Sequence, residues 1–457
     1  MYRRSRLVGL LLALMFCVFA FLTLLHTVCF ANEKNVLVHV HTLFRHGDRT
    51  SVTPYLFDGY DPFKVWPDGL GQLTQEGIEQ LFLLGKWLRN KYSSFIDRNY
   101  NVSTFRMRSS DLDRSLMSAE AMMAGFFHRS NSSLSKYGLH WRPIPTHTVP
   151  TTTDTLLSFQ PCPRMAQRRE ELLQSKEGID LFKQHKKTID HVGTSYGIKN
   201  ITLIDIWGIA DDLFCLRSHN ASLPKWCTQD VFQELDTITN KLFRLLYTDQ
   251  EILKLAVGVF LKDTFDRMDE YIHKNTSEFS SLESFLAYSA HDTNVAPLLN
   301  ALGAYADWDR PQYAALIAME LLAPRTDALP NGGHLLRLYY KRGWKDETGS
   351  YVPFNACRDR EAKEGCAFAL VRESIASLLL STEEIEEACK AEWLPSRYRL
   401  IVAITLSTFL AILFFTLGAV HCVVWRQRCW QRNQRGNNFG GASQLPYSPL
   451  VSSPPTA

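Results

Sequence analysis

The chain has 457 residues, of which 46% are hydrophobic, 21% charged and 12% aromatic, the balance of a folded globular protein and a composition that excludes disordered, collagen-like and coiled-coil classes. The formal charge of +3 hides an asymmetry: residues 1–31 and 396–457 hold nine of the 50 basic residues and no Asp or Glu, leaving 41 basic against 47 acidic residues between them, a net of −6. A mildly acidic body without a basic cluster excludes nucleic acid as a partner.

Arg3, Arg4 and Arg6 precede an uncharged run from Leu7 to Leu25, and Cys29-Phe30-Ala31 then offers small residues for signal-peptidase cleavage after Ala31. An uncleaved anchor is the alternative, and either places residues 32–395 outside the cytosol. Asn35–Phe44 (NVLVHVHTLF) alternates strictly and predicts a strand ending at Arg45-His46-Gly47. Leu73–Arg89 has helical spacing with Thr74 as N-cap. A short strand at Phe105–Ser109 and a helix at Ser115–Phe127 follow, and from Gln167 to Phe265 the period is helical, broken near Gly193–Gly197 and Ser218–Pro224. This is a candidate helical lobe, about residues 165–270. A strand period returns at Ser284–Tyr288, a helix opens at Asp292 toward Leu302, and Ala315–Leu322 and Leu335–Tyr340 predict two more strands. The expected plan is one α/β body with a smaller helical lobe.

Leu400–Val424 contains 25 residues without a charge, enough at about 1.5 Å per residue to cross a hydrocarbon core of roughly 30 Å. It predicts a single transmembrane helix, with residues 425–457 as a cytoplasmic tail and a type I orientation. Six cysteines lie in the body, Cys162, Cys215, Cys227, Cys357, Cys366 and Cys389, an even number compatible with three disulfides in an oxidising lumen. Five Asn-x-Ser/Thr sequons start there, at Asn101, Asn131, Asn200, Asn220 and Asn275. In the tail, Tyr447-Ser448-Pro449-Leu450 has the form of a tyrosine-based sorting signal, pairing Tyr447 with Leu450. It implies lysosomal or endosomal delivery, with the plasma membrane as the alternative.

Three clusters carry chemistry, each after a strand. Arg45-His46-Gly47-Asp48-Arg49 flanks one imidazole with two guanidinium groups, which grip phosphate oxygens and keep the ring neutral and nucleophilic. Arg106–Arg114 adds Arg114 as a third clamp. Ser289-Ala290-His291-Asp292-Thr293 opens a helix, whose N-terminus favours anions; there His291 can donate to a phosphoryl oxygen and Asp292 can exchange a proton with a leaving alkoxide.

The stretches LFRHGDRT, PDGLGQLTQEG (Pro67–Gly77), RSSDLDRSLMSAE (Arg108–Glu120) and YSAHDTNVAPLLNALG (Tyr288–Gly303) resemble the histidine acid phosphatases, the animal lysosomal and prostatic group of the phosphoglycerate mutase-like superfamily. The resemblance covers about residues 36–393. It implies a mixed central sheet flanked by helices with a smaller helical lobe. It also implies His46 as nucleophile, Arg45, Arg49, Arg114 and His291 as phosphate-binding groups, His291 as transition-state donor and Asp292 as general acid. Phosphomonoesters are the implied substrates, with no metal, no organic cofactor and a homodimeric assembly; the expected substrate is a small-molecule phosphomonoester, with a phosphoprotein or phospholipid as the alternative. It further implies disulfides Cys162–Cys389 and Cys357–Cys366, leaving Cys215 to pair with Cys227.

Two motifs read as accidents. Cys162…Arg168 has the C-x5-R spacing of cysteine phosphatases but lacks the glycines of their phosphate loop. His39 and His41 share one strand face like a metal-binding H-x-H, without further ligands in view. The rival from another class is a non-catalytic phosphatase-like receptor ectodomain.

Overall fold

A computed structural model describes residues 35–128, 132–158, 162–273, 283–304, 310–324, 333–391 and 396–437. The chain divides into two units, Met1–Ala391 and Glu392–Ala457. In the first, eight strands form one sheet: β1 (Asn35–Arg45), β2 (Phe105–Ser109), β3 (Thr146–His147), β4 (Phe285–Ala290), β5 (Leu316–Pro324), β6 (Leu335–Lys341), β7 (Ser350–Val352) and β8 (Cys366–Ala367). Their order is β3-β2-β4-β1-β5-β6-β7, with β8 also paired to β6. The five predicted strands are all present. β3, β7 and β8 have two or three residues each, too few to establish a period in sequence.

β4 runs parallel to both β1 and β2, with Arg45 opposite Ala290 and Ser109 opposite Ser289, so three carboxyl ends lie side by side. β5 runs antiparallel to β1, Phe44 opposite Leu316, and brings its first residues to the same end. Alternation along β1 feeds two cores: Val40 and Phe44 pack with one cluster, Leu43 with the other.

After the single turn α1 (Pro62–Val65), α2 (Gln75–Lys91) and α3 (Asp113–Phe126) cover the first core. Thr74 caps α2 as predicted, accepting from Gly77 N–H at 3.1 Å. α2 and α3 touch backbone to backbone. A Cβ at Gly85 would stand 2.0 Å from Met122 O, and one at Gly125 2.0 Å from Phe82 O.

The second core lies under the lobe, which has six helices: α4 (Pro163–Leu173), α5 (Lys176–Gln184), α6 (Lys186–Tyr196), α7 (Leu203–Ser218), α8 (Gln229–Tyr247) and α9 (Gln250–His273). The two predicted breaks fall at Gly197 (φ 68°) and just before Asn220 (φ 54°), where left-handed backbone ends α6 and α7. Two of the unpredicted breaks are made by caps, Ser175 accepting from Gly178 N–H and Asp249 from Ile252 N–H, whereas the break at His185 between α5 and α6 has no side-chain cap. α10 (Asp292–Ala301) returns to the sheet, and α11 (Phe368–Ser374) and α12 (Thr382–Ala388) complete the unit.

Disulfides join Cys162 to Cys389 and Cys357 to Cys366. The expected Cys215–Cys227 pair is corrected: both are free and buried. Cys215 projects from α7 toward the end of β1, with Sγ 3.4 Å from Arg49 Nη1, whereas Cys227 is buried in the lobe core at the turn before α8.

Among the described residues the second unit contains one helix, α13 (Ser396–Asn437), whose stretch Ile401–Arg432 is long and apolar enough to cross a membrane. It continues past the predicted end at residue 424, because the sequence offers no Pro and no Gly between Gly418 and Gly436 to stop it. The expected signal peptide (1–31), Asn131, Asn275, Tyr447 and Leu450 lie outside the described residues. Asn101, Asn200 and Asn220 are exposed.

Candidate active site

All six predicted site residues sit at the shared end of β1, β2 and β4. Arg45 ends β1, and His46 to Arg49 turn away beneath α2. The turn is tight: a Cβ at Gly47 would lie 2.4 Å from Gly77 O, so only glycine lets this loop lie against the start of the helix. Gly47 N–H donates to Ser118 Oγ at 3.2 Å, and Asp48 N–H to Gln80 Oε1 at 2.9 Å, which fastens the loop to α3 and α2.

His46 is buried, 2% exposed. Its Nδ1 lies 2.8 Å from Gly47 O; a carbonyl oxygen only accepts, so Nδ1 carries the proton and Nε2 keeps its lone pair. Burial, then the charges of Arg45, Arg114 and Arg49 and the neighbouring His291, hold this imidazole well below its ordinary range. Its neutral form is therefore favoured. His291 stands edge-on to it, ring centroids 5.4 Å apart, and is lowered to about 3 by burial and by Arg114, Arg45 and Arg49, with Asp292 opposing. Its Nε2 shares a 3.0 Å hydrogen bond with Ser110 Oγ.

Each arginine is held differently. Arg45 Nη2 pairs with Asp292 Oδ2 at 3.0 Å, Nη1 donates to Pro311 O at 2.7 Å, and the guanidinium lies over the Tyr313 ring at 4.4 Å. Arg49 Nη2 grips both oxygens of Asp211, at 3.0 and 2.8 Å. Although burial opposes its charge, that carboxylate keeps Arg49 well above the ordinary value. Arg114 takes part in neither ion pair and is lowered to about 10, by burial first and then by Arg49 and Arg45. The Nε atoms of Arg45, Arg49 and Arg114 are all buried without a hydrogen-bond partner. Three guanidinium groups whose charges all bear on one imidazole make a receptor for a tetrahedral anion. The other arginines of the second cluster are spent elsewhere: Arg106 pairs with Glu283 and Arg108 with Asp154.

Sequence reasoning missed Tyr313, Asp211, Ser110 and Ser118, which arrive from β5's approach, α7, the loop after β2 and α3. A lone Asp or Tyr in those segments carries no mark of its role. The two accidental motifs are explained. Cys162 is in a disulfide, and Arg164 and Arg168 pair with Glu171, Asp249 and Glu251. His39 and His41 are both buried; His39 Nε2 donates to Glu283 O at 2.9 Å, and burial lowers that ring to about 4. Among the described residues no cluster of three His, Cys, Asp or Glu could hold a metal.

A family model described as "Histidine phosphatase superfamily (branch 2)" matches residues 36–353. The lysosomal acid phosphatase of Xenopus laevis is 33% identical over 398 residues, 85% of this chain and 87% of that protein. The human lysosomal acid phosphatase is 38% identical over 290 residues, 62% and 66% of the two chains. The mouse prostatic acid phosphatase is 33% identical over 333 residues, covering 72% and 84%. Among solved structures, the phytase of Citrobacter braakii aligns with a TM-score of 0.55 at 16% identity, over 78% of this chain and 100% of that one. The Hafnia alvei phytase in complex with tartrate aligns at 0.57 and 14%, over 79% and 100%. At such identities the structural likeness concerns the fold.

Proposed function

This chain belongs to the histidine phosphatase superfamily, branch 2, and is an acid phosphatase; from that premise we propose that it hydrolyses phosphomonoesters through a covalent phosphohistidine at His46. The observation that carries the reading is the buried His46, its Nδ1 proton given to Gly47 O and its Nε2 lone pair left available beside three arginines whose charges disfavour protonation of the ring.

In the first step the Nε2 lone pair attacks phosphorus, the N–P bond forms and the P–O bond to the leaving group breaks. Asp292 gives the departing oxygen its proton. Arg45, Arg49, Arg114 and an N–H of His291 neutralise the charge on the three equatorial oxygens. In the second step Asp292 takes a proton from water, the water oxygen attacks phosphorus, and the N–P bond breaks to release phosphate and regenerate His46. Arg45 has two duties in this scheme, one to a phosphoryl oxygen and one to the carboxyl of Asp292. Because every cation near His46 depresses its proton affinity, the nucleophile remains unprotonated at a pH where an ordinary imidazole is charged.

The finer placement is part of the same proposal: a signal peptide over residues 1–31, a catalytic domain over 32–395 on the lumenal or extracellular side, a span at 400–424 and a cytoplasmic tail at 425–457. A homodimer is retained from the family resemblance. The non-catalytic receptor reading draws no support from relatives named acid phosphatases. Hydrolysis of an aryl phosphate by the full-length protein across pH 3–8, with and without chelator, tests the function. We expect chelator-resistant activity highest in acid, and a loss of at least about a thousandfold in His46→Ala; wild-type rates in that variant would refute the assignment.

A further inference from the structure

The lobe reaches the nucleophile loop through one stripe of α7. Asp211, Cys215 and His219 follow at intervals of four residues, which stacks them along one side of the helix. Asp211 grips Arg49 with both oxygens, and the Cys215 thiol lies against the same guanidinium. His219, the residue that ends α7, carries the stripe on to Asp48: its Nε2 is 2.7 Å from Asp48 Oδ2. That oxygen also accepts the Thr74 hydroxyl at 2.6 Å. The Asp48 backbone is fixed too, its N–H by Gln80 Oε1 and its carbonyl by Thr74 N–H at 3.1 Å. Asp48 thereby joins the loop, the start of α2 and the end of α7, two residues from His46.

The Asp48 side chain is 3% exposed and that of His219 24%, so the imidazole is the member that exchanges protons with solvent. The groups facing it are Asp48 from the loop, Glu76 from the first turn of α2, and the edge of the Trp66 ring at 5.2 Å. Arg217, its neighbour on α7, is turned onto the Phe232 ring. Both charged neighbours are acidic, and the C-terminal end of a helix favours a cation. The hydrogen bond to Asp48, more than any other influence, raises the ring's proton affinity above the ordinary value.

We propose that His219 is a positioning residue: its protonated ring locks Asp48, and with it the Gly47–His46 backbone, between α2 and α7, so that alignment of the nucleophile tightens as the medium becomes acidic. The proposal rests on His46 being the nucleophile. A protonated ring makes a charge-assisted bond, roughly twice as strong as the neutral N–H bond left after deprotonation. Since the folded ring holds its proton more tightly than the unfolded one, the lock is complete below the ordinary imidazole range and is lost as pH rises through the raised value.

The test is steady-state kinetics of the full-length protein on an aryl phosphate from pH 4 to 7.5, for wild type, His219→Gln, His219→Ala and His46→Ala. Glutamine keeps a donor but does not ionise. We expect the wild-type to His219→Gln ratio of kcat to be about three to five at pH 4–5 and to fall toward one at pH 7.5, with KM little changed, and kcat of His219→Ala to fall about tenfold. A ratio independent of pH would leave His219 with a structural role only and overturn the proposal, as would wild-type kcat in His219→Ala. Wild-type activity in His46→Ala would instead remove the nucleophile assignment, and the proposal with it, so the two failures are told apart.

Discussion

Three guanidinium groups share one pocket, and only two have carboxylates to offset them: Asp292 beside Arg45 and Asp211 beside Arg49. Arg114 is the crowded one, with its proton affinity lowered by burial and by the other two cations. Asp292 and Asp211 offset part of that crowding, and a bound phosphate would add counter-charge where Arg114 has no ion-pair partner of its own, an arrangement that gives up stability for function. Arg114→Leu separates the two quantities. We predict that kcat/KM drops about a hundredfold, the worth of one charge-assisted bond in the transition state, while the melting temperature rises by about 2 °C. Inorganic phosphate should raise the melting temperature of wild type and do so far less in the variant. Calorimetry with and without phosphate checks this, and a variant less stable than wild type in the absence of phosphate would contradict it.

At the scale of elements, the close passage of α2 over α3 sets where the nucleophile loop can lie, since the start of α2 packs on Gly47 and α3 supplies Ser118. The paired glycines leave no room for a methyl: Gly125→Ala should cost about 2–3 kcal/mol in urea unfolding through overpacking against Phe82 O. Activity per folded molecule should change little, and an unaltered unfolding midpoint would show that the helices can separate freely. Much of this was legible in the sequence because it is local. Strand alternation, the Thr74 cap and the three strand-end clusters each occupy fewer than a dozen contiguous residues. What escaped is non-local. Asp211 meets Arg49 across 162 positions of sequence and His219 meets Asp48 across 171, and a single polar residue on a lobe helix has no periodicity to announce it. The Cys215–Cys227 expectation failed for the same reason: an even count says nothing of direction, and Cys215 faces Arg49 rather than its neighbour in sequence.

Over the whole molecule, the sheet does the assembling. Parallel pairing of β1 with β4 and of β4 with β2 brings three loops, from residues 45–49, 110–114 and 291–292, to one edge, and antiparallel β5 delivers Tyr313 beside them. The Cys162–Cys389 bond closes the entire lobe and the second half of the sheet into one loop of 227 positions, tying the entrance of the lobe to the last helix of the catalytic unit. The chemistry at that edge is the central claim, and one measurement reaches it directly. Full-length protein mixed at pH 5 with an aryl phosphate labelled in phosphorus, quenched in alkali within a turnover and digested, is mapped for label. The account predicts close to one phosphoryl group per active site, bound to His46 and absent from His46→Ala, and a longer-lived adduct in Asp292→Ala because the water-activating carboxylate is gone. No label under turnover, or label on any residue other than His46, would contradict it.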